Sequence, residues 1–250
     1  MSLKFSDTTN KDGIIQRIED ELGFSDGYIT GDSTMMAKFT ANVNLAHDDA
    51  LRLIFSAGGT WQFDDSNHDD YPIITTNLVS GQRDYTFTVD DSGNLILDIY
   101  KVQIKTPDGK FIDIYPVDQQ TRNNNNSDTT TLTDGQNLTG TPTRYDKTAN
   151  GFFLDLIPSY NSTAGLKVFI NREGSYFNTG STSTKPGISG LFHEYYVVNP
   201  AYRYASSKRL DSKDDLLARK TAIEVAMTDH YGKRERDIDR RMNPNVENSK

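Results

Sequence analysis

The chain has no cysteine. That absence excludes a disulfide framework, a thiolate metal site and a cysteine nucleophile. No apolar run approaches the roughly 20 residues that a membrane-spanning helix needs. The first residues, MSLKFSDTTNKDG, carry no apolar signal region, so a soluble protein made in a cytosol, with no membrane partner, is expected. The glycine-rich phosphate cradles GxxxxGK(S/T) and GxGxxG and the nucleophile elbow GxSxG are all missing. Histidine is scarce, with four in 250 residues. His47 stands beside Asp48 and Asp49, and His193 beside Glu194, but neither has the second histidine of a metalloprotease helix. A capping or surface role is expected for both. The same absences leave no cofactor, metal or catalytic residue to assign, so a protein that is not an enzyme is expected.

Excess positive charge is missing too. The net charge is −8, which does not suit a nucleic-acid binder. Its distribution is uneven. Residues 201–250 hold 12 Lys+Arg and 9 Asp+Glu, or +3, which leaves 15 and 26, or −11, for residues 1–200. An acidic body with a basic end allows head-to-tail contact between copies, or docking of the end on an acidic partner.

What the chain does have is aromatic weight, 13 Tyr and 12 Phe, enough with its aliphatic residues for a packed core. Ile14, Ile15, Ile18 and Leu22 fall at helical spacing, with Asp12 as cap and Gly23 as stop. A second helix, capped by Asp32 or Ser33, carries Met35, Met36, Phe39, Val43, Ala46, Ala50, Leu53 and Ile54 and ends at Gly58-Gly59. From Trp61 the composition turns to strands. Ile73–Val79 is one. Tyr85, Phe87 and Val89 alternate along another, and Leu95–Ile104 and Phe111–Tyr115 flank the hairpin turn Thr106-Pro-Asp-Gly109. Phe152–Ile157 and Leu166–Ile170 read as a further hairpin. Phe192, Tyr195, Tyr196 and Asn199 to Tyr202 return to helical period, with Pro200 set to kink or split that helix. A last helix, capped by Asp211 or Ser212, uses Leu216, Leu217, Ile223, Ala226 and Met227 as its apolar face.

Each helix has one apolar face, so the first pair and the last pair must find each other. The expected class is α+β. A helical bundle forms from residues 11–58 and 191–232, and an antiparallel β-sandwich or β-barrel module, residues 60–178, is inserted into it. Residues 233–250 form a charged C-terminal tail. Asp64, Asp65, His68, Asp69 and Asp70 are the densest ligand-capable cluster, but their spacing is not that of a calcium loop, and a solvated acidic loop is expected. Trp61 is assigned to the core. Arg234, Arg236, Arg240 and Arg241, broken by Glu235, Asp237 and Asp239, fit either a solvated helix end or an interface tail. Asn123, Asn124, Asn125 and Asn126 lie in a stretch too polar to pack, read as an exposed loop or arm.

Three passages together resemble the head-to-tail adaptor (connector, head-completion) proteins of tailed-bacteriophage necks. They are AGGTWQFDD running into YPIITTNLVSGQRDYTF, then IYKVQIKTPDGKFIDIYP, then FFLDLIPSYNSTAGLKVFINREGSYF followed by a polar linker and LFHEYYVVNPAYRYASSKRL. The resemblance covers most of residues 11–230 and rests on patterns, with no catalytic signature. It implies a structural virion protein at the head–tail junction, made in the host bacterial cytoplasm. Such proteins form a ring, usually of twelve copies, under the portal. They extend the channel through which DNA passes without sequence-specific binding, and offer a surface to the next neck or tail protein. It makes Arg234, Arg236, Arg240 and Arg241 candidate portal contacts and Asn123–Asn126 a candidate contact with a neighbouring neck or tail protein. The alternatives are another minor virion or tail component, or a carbohydrate- or ligand-binding β module.

Overall fold

The computed structural model describes residues 3–58, 73–90, 93–116 and 138–235, with side chains to residue 233. Packing divides the chain into two compact units, Met1–Asp69 with Gly174–Lys250, and Asp70–Glu173. Trp61, the Asp64–Asp70 cluster and Asn123–Asn126 lie outside the described residues.

The first unit is helical. In α1 (Ile14–Glu21) the isoleucines 14, 15 and 18 are fully buried. Its N-cap is Gly13, not Asp12, because the Asp12 carboxylate is taken by the Arg17 guanidinium at 2.6 Å. Gly23 turns the chain at φ 67°. The buried Glu19 carboxylate then closes the following loop by accepting the backbone N–H groups of Ile29 (2.6 Å) and Gly27 (3.1 Å). Asp32 caps α2 (Ser33–Gly58), its Oδ1 accepting the Thr34 N–H at 2.8 Å. After a 3₁₀ turn at Gly190–Phe192 come α3 (Tyr195–Lys208) and α4 (Lys213–Glu235). Pro200 sits inside α3 without splitting it. The helix ends where Arg209 adopts φ 55° and the Leu210 N–H reaches back to the Ala205 carbonyl at 2.9 Å, a left-handed closure. Non-helical segments complete the core. Phe5 and Phe177 stack at 4.9 Å, and Asn44 holds Phe177 by accepting its N–H (2.9 Å) and donating to its carbonyl (3.0 Å).

The second unit is a sheet. Its strands are β1 (Ile73–Leu78), β2 (Asp84–Thr86), β3 (Ile96–Lys105), β4 (Phe111–Pro116), β5 (Thr139–Gly140), β6 (Arg144–Thr148), β7 (Gly151–Leu154), β8 (Ile157–Pro158) and β9 (Ser162–Arg172). Seven of them form one sheet in the order β1-β9-β3-β4-β6-β7-β2, while β5 and β8 pair separately. The Thr106–Gly109 turn joins β3 to β4 as expected. Gly109 takes φ 81° there, and Gln103 stands opposite Asp113. The expected hairpin between Phe152–Ile157 and Leu166–Ile170 does not form. Here β7 pairs with β6 and β2, and β9 with β1 and β3. Asp155 ends the first run early, its carboxylate accepting the Thr143 N–H (3.0 Å), the Thr143 hydroxyl (2.7 Å) and the Leu156 N–H (2.9 Å). The Tyr85–Val89 strand is also cut short, to Asp84–Thr86, with Val89 left in a lone bridge to Leu95.

The expected helical bundle with an inserted antiparallel sandwich or barrel is therefore overturned. The chain is a mixed α/β protein with one large curled sheet and, among the described residues, four helices. One face of all seven strands, from Ile74 and Leu166 through Val102 and Ile114 to Tyr145, Phe152 and Tyr85, meets in a single core. A sandwich would need two sheets facing each other; one twisted sheet curling over its own apolar face needs no second. The β4–β6 pair is parallel, so the sheet is not purely antiparallel. Among the described residues its order runs from β1 to β2 without closing into a barrel.

A buried ion pair fixes the far end of β9. Arg172 Nε lies 3.0 Å from Asp90 Oδ2, with side chains 1% and 5% exposed, and Asp90 also accepts the Asn94 N–H at 2.7 Å. Removing the carboxylate takes a counter-charge from a buried guanidinium. Asp90→Ala is expected to cost about 3–5 kcal/mol of stability in urea unfolding; an unchanged midpoint would show that Arg172 is held by other groups.

Candidate functional site

The helical unit is braced by a polar network centred on α3. This helix packs against α1, α2 and α4, and buries every residue from Tyr195 to Ala201. Polar groups on such a helix must find partners inside. Tyr195 Oη donates to Glu224 Oε1 of α4 (2.9 Å), and Asn199 Nδ2 donates to Tyr195 Oη (2.9 Å) and to Asp49 Oδ2 of α2 (3.2 Å). Arg203 donates from Nε to Asn199 Oδ1 (2.9 Å) and from its terminal nitrogen to Asp49 Oδ2 (2.6 Å). Lys220 Nζ reaches Glu224 Oε1 at 2.6 Å. Arg219 of α4 grips Glu21 of α1 with two bonds, 2.7 and 2.9 Å, and Glu194 with a third, 2.8 Å. These carboxylates are occupied by cations and hydroxyls of the scaffold, which suits holding helices in register.

His47 and His193 belong to the interior, which corrects the expectation of a capping or surface role. Both are buried. His47 Nδ1 lies 2.7 Å from Tyr196 Oη, and a Cβ on Gly174 would come within 1.9 Å of its Nε2, so only glycine fits beside the ring. His193 Nδ1 accepts the Leu3 N–H at 2.8 Å while Nε2 faces the Ile188 carbonyl at 3.1 Å, which fixes a neutral ring protonated on Nε2. Among the described residues, no group of three or more His, Asp or Glu side chains is placed to hold a metal ion.

Two surfaces stand out on this scaffold. The first is the outer face of α4. The helix buries Leu216, Met227 and Tyr231 and half-buries Ile223. About 100° round the axis, Leu217 (41% exposed), Thr221, Val225 (66% exposed) and Thr228 line a second stripe. Thr221, Val225 and Thr228 line, with Leu53 of α2 and with Glu224 and Asp229, a shallow, mostly apolar groove of about 470 Å³. Leu217 and Ala226 were expected on the buried face; both are exposed, because tertiary contact covers only the narrower Leu216–Met227–Tyr231 line. The four-residue spacing Leu217–Thr221–Val225 was visible in the sequence as a separate stripe.

The second surface is the outer side of the sheet where β9, β3 and β4 adjoin. Alternation sends Val102, Ile104, Leu166 and Val168 inward, and Lys101, Gln103, Lys105, Lys167 and Phe169 outward. Lys167 Nζ lies over the Phe111 ring, 4.1 Å from its centre, and Lys101 Nζ lies 5.4 Å from the centre of Phe169. Lys101 also pairs with Asp113 at 3.1 Å. The Gln103 amide, and after it Lys101, hold the Asp113 carboxyl below the usual carboxylate range. Tyr115 at the edge of this face is 69% exposed. The period-two run Lys101-Gln103-Lys105 was the sequence signal for it.

Of the residues singled out from the sequence as interface candidates, Arg234 lies in the last turn of α4. Arg236, Arg240 and Arg241 lie outside the described residues, as do Asn123, Asn124, Asn125 and Asn126. No helix among the described residues is long and apolar enough to cross a membrane. Comparison with known protein families finds no match, and comparison with curated proteins finds none either.

The buried tyrosines give the network a pH signature. Burial, and after it the Glu224 carboxylate, push the Tyr195 hydroxyl up, and burial pushes Tyr196 up strongly. In the unfolded chain these phenols ionise near 10, while in the fold they stay protonated. Their contribution to stability is full below about pH 10 and falls progressively as pH rises toward the raised folded values. Urea unfolding at pH 8, 10 and 11 is expected to show that loss, and Tyr195→Phe with Tyr196→Phe to flatten it. An equally steep loss in the double variant would place the titration elsewhere.

Proposed function

We propose that this protein is a structural component of a tailed-phage virion, a head-to-tail adaptor that assembles as a ring, usually of twelve copies, beneath the portal. One observation carries the reading. α4 exposes Leu217 and Val225, with Thr221 between them, in one line along a helix whose other side is locked into a cross-braced scaffold. A rigid helix with an uncovered second apolar line is suited to side-by-side packing with another protein surface. The element order supports it as well, since helices from both ends of the chain share one compact unit and the strands between them form another. The charge supports it in turn. A chain at −8 lines a channel without gripping the phosphates that pass through it.

In this reading the α2–α4 groove meets the neighbouring copy or the portal, Arg234, Arg236, Arg240 and Arg241 extend the contact to the portal, and Asn123–Asn126 face the next neck or tail protein. A closed ring of heterologous contacts needs two different complementary faces on each copy.

The test is negative-stain microscopy of the purified protein, alone and mixed with the portal of the same phage, for wild type and for Thr221→Arg with Val225→Arg. Wild type is expected to form rings or to add density beneath the portal. The variant is expected to melt within about 0.5 kcal/mol of wild type, as surface changes do, and to lose assembly. Separate wild-type particles in both samples would defeat the proposal.

A further inference from the structure

We infer that the lysine–aromatic face of the sheet is a docking surface for a second copy of this chain, which presents to it the acidic segment running from α1 through the following loop. The inference rests on the ring reading above and names a pair of surfaces that close it. Lys167 stands opposite Gln103 across the β9–β3 pairing, and Lys101 and Lys105 lie two residues to either side of Gln103. At about 3.4 Å per residue along a strand and about 4.8 Å between strands, the three lysines root in a triangle about 13 Å long. Its formal charge is three cations against Asp113, or +2. Lys105 and Lys167 have no ion-pair partner among the described residues.

The complement lies in the helical unit. Residues 11–32 carry Lys11 and Arg17 against six carboxylates; with Glu19 buried on the Ile29 and Gly27 N–H groups and Glu21 held by Arg219, the outward set is Asp12, Asp20, Asp26 and Asp32 against the two cations, or −2. Asp20 and Asp26 are exposed, Asp26 pairing at the surface with Lys11, and between Asp26 and Asp32 stands Tyr28, 47% exposed and packed on Phe24 at 4.5 Å between ring centres. Each face thus couples charge of one sign to one prominent tyrosine, Tyr115 on the basic face and Tyr28 on the acidic one. Buried tyrosines anchor interfaces, while surrounding charges set partner choice and register. The two faces differ, as a head-to-tail ring requires.

The same geometry favours protein carboxylates over nucleic acid. Single strands bind by stacking bases on open aromatic rings. Here Phe111 and Phe169 are already capped by Lys167 and Lys101, and the chain as a whole repels polyphosphate at −8. Resting a lysine on a ring also limits its rotamers before binding, which lowers the ordering cost of a carboxylate contact.

The experiment compares ring assembly on the portal, at about 50 mM and about 500 mM salt, for wild type, Lys105→Glu with Lys167→Glu, Asp20→Lys with Asp26→Lys, and all four changes together. Far-ultraviolet circular dichroism and melting report folding. Each double variant is expected to raise the concentration for half-assembly about tenfold or more at low salt, as reversal of interface charges does. The quadruple variant should recover most of that loss, and the wild-type advantage should shrink at high salt. Rings formed by folded double variants as readily as by wild type would overturn this surface while leaving the adaptor reading intact. Loss without recovery in the quadruple variant would show the lysines meeting a different acidic surface, the portal's or a nucleic acid's among them, and would overturn the pairing with the α1 segment. A wild type that forms no ring with or without the portal would overturn both readings.

Discussion

The helical unit depends on one constraint: α3 is buried at every residue from Tyr195 to Ala201 and still carries Tyr195, Tyr196, Asn199 and, further along, the half-buried Arg203. A buried polar group without a partner costs about 1–3 kcal/mol, so these side chains dictate where their neighbours stand. Asp49 fixes α2, Glu224 fixes α4, and His47 meets Tyr196 from the other side of α2. The close passage of Gly174 past His47 follows, since any Cβ there would collide with the ring. Arg219 extends the brace to α1 through Glu21. Hydrogen bonds carry directional requirements that hydrophobic packing lacks, so a core of this kind specifies one register of its helices.

In the sheet unit the corresponding constraint is the continuity of one apolar face. β9 spans eleven residues, alternating from Leu166 to Ile170, long enough to serve β1 on one side and β3 on the other. The Arg172–Asp90 pair holds its far end, where a desolvated guanidinium tolerates no slip in register. The other side of the sheet holds the alternate positions of β9, β3 and β4. Lysines, phenylalanines and Tyr115 occupy it.

Taken together, the surfaces suit a protein that works by contact. The carboxylates that would suggest chemistry, Glu19, Asp49, Glu224 and Asp90, are bound to backbone N–H groups, cations or hydroxyls of the scaffold itself. Among the described residues, α4 turns Leu217 and Val225 outward, the sheet a basic face, and the α1 segment Asp20 and Asp26. In the reading proposed above, the basic face and the acidic segment supply the two different faces that head-to-tail assembly requires.

Local order alone placed several features. The isoleucine spacing of α1, the Asp32 cap of α2 and the Thr106–Gly109 hairpin follow from helical period, capping chemistry and turn conformation, all of which act within a few residues. The absence of cysteine and the uneven charge are likewise properties of the sequence itself. Tertiary structure decided the rest. Which strand pairs with which depended on distant partners, so Phe152–Leu154 joined β6 and β2 in place of Leu166–Ile170, and one curled sheet formed where a sandwich or barrel was expected. Which side of α4 is covered depended on α2 and α3, leaving Leu217 and Val225 outside. His47 and His193 read as surface residues in sequence because their partners, Tyr196 in one case and the Leu3 and Ile188 backbone in the other, stand up to 190 positions away. Periodicity reports that a residue has a side to hide; only the fold supplies what hides it.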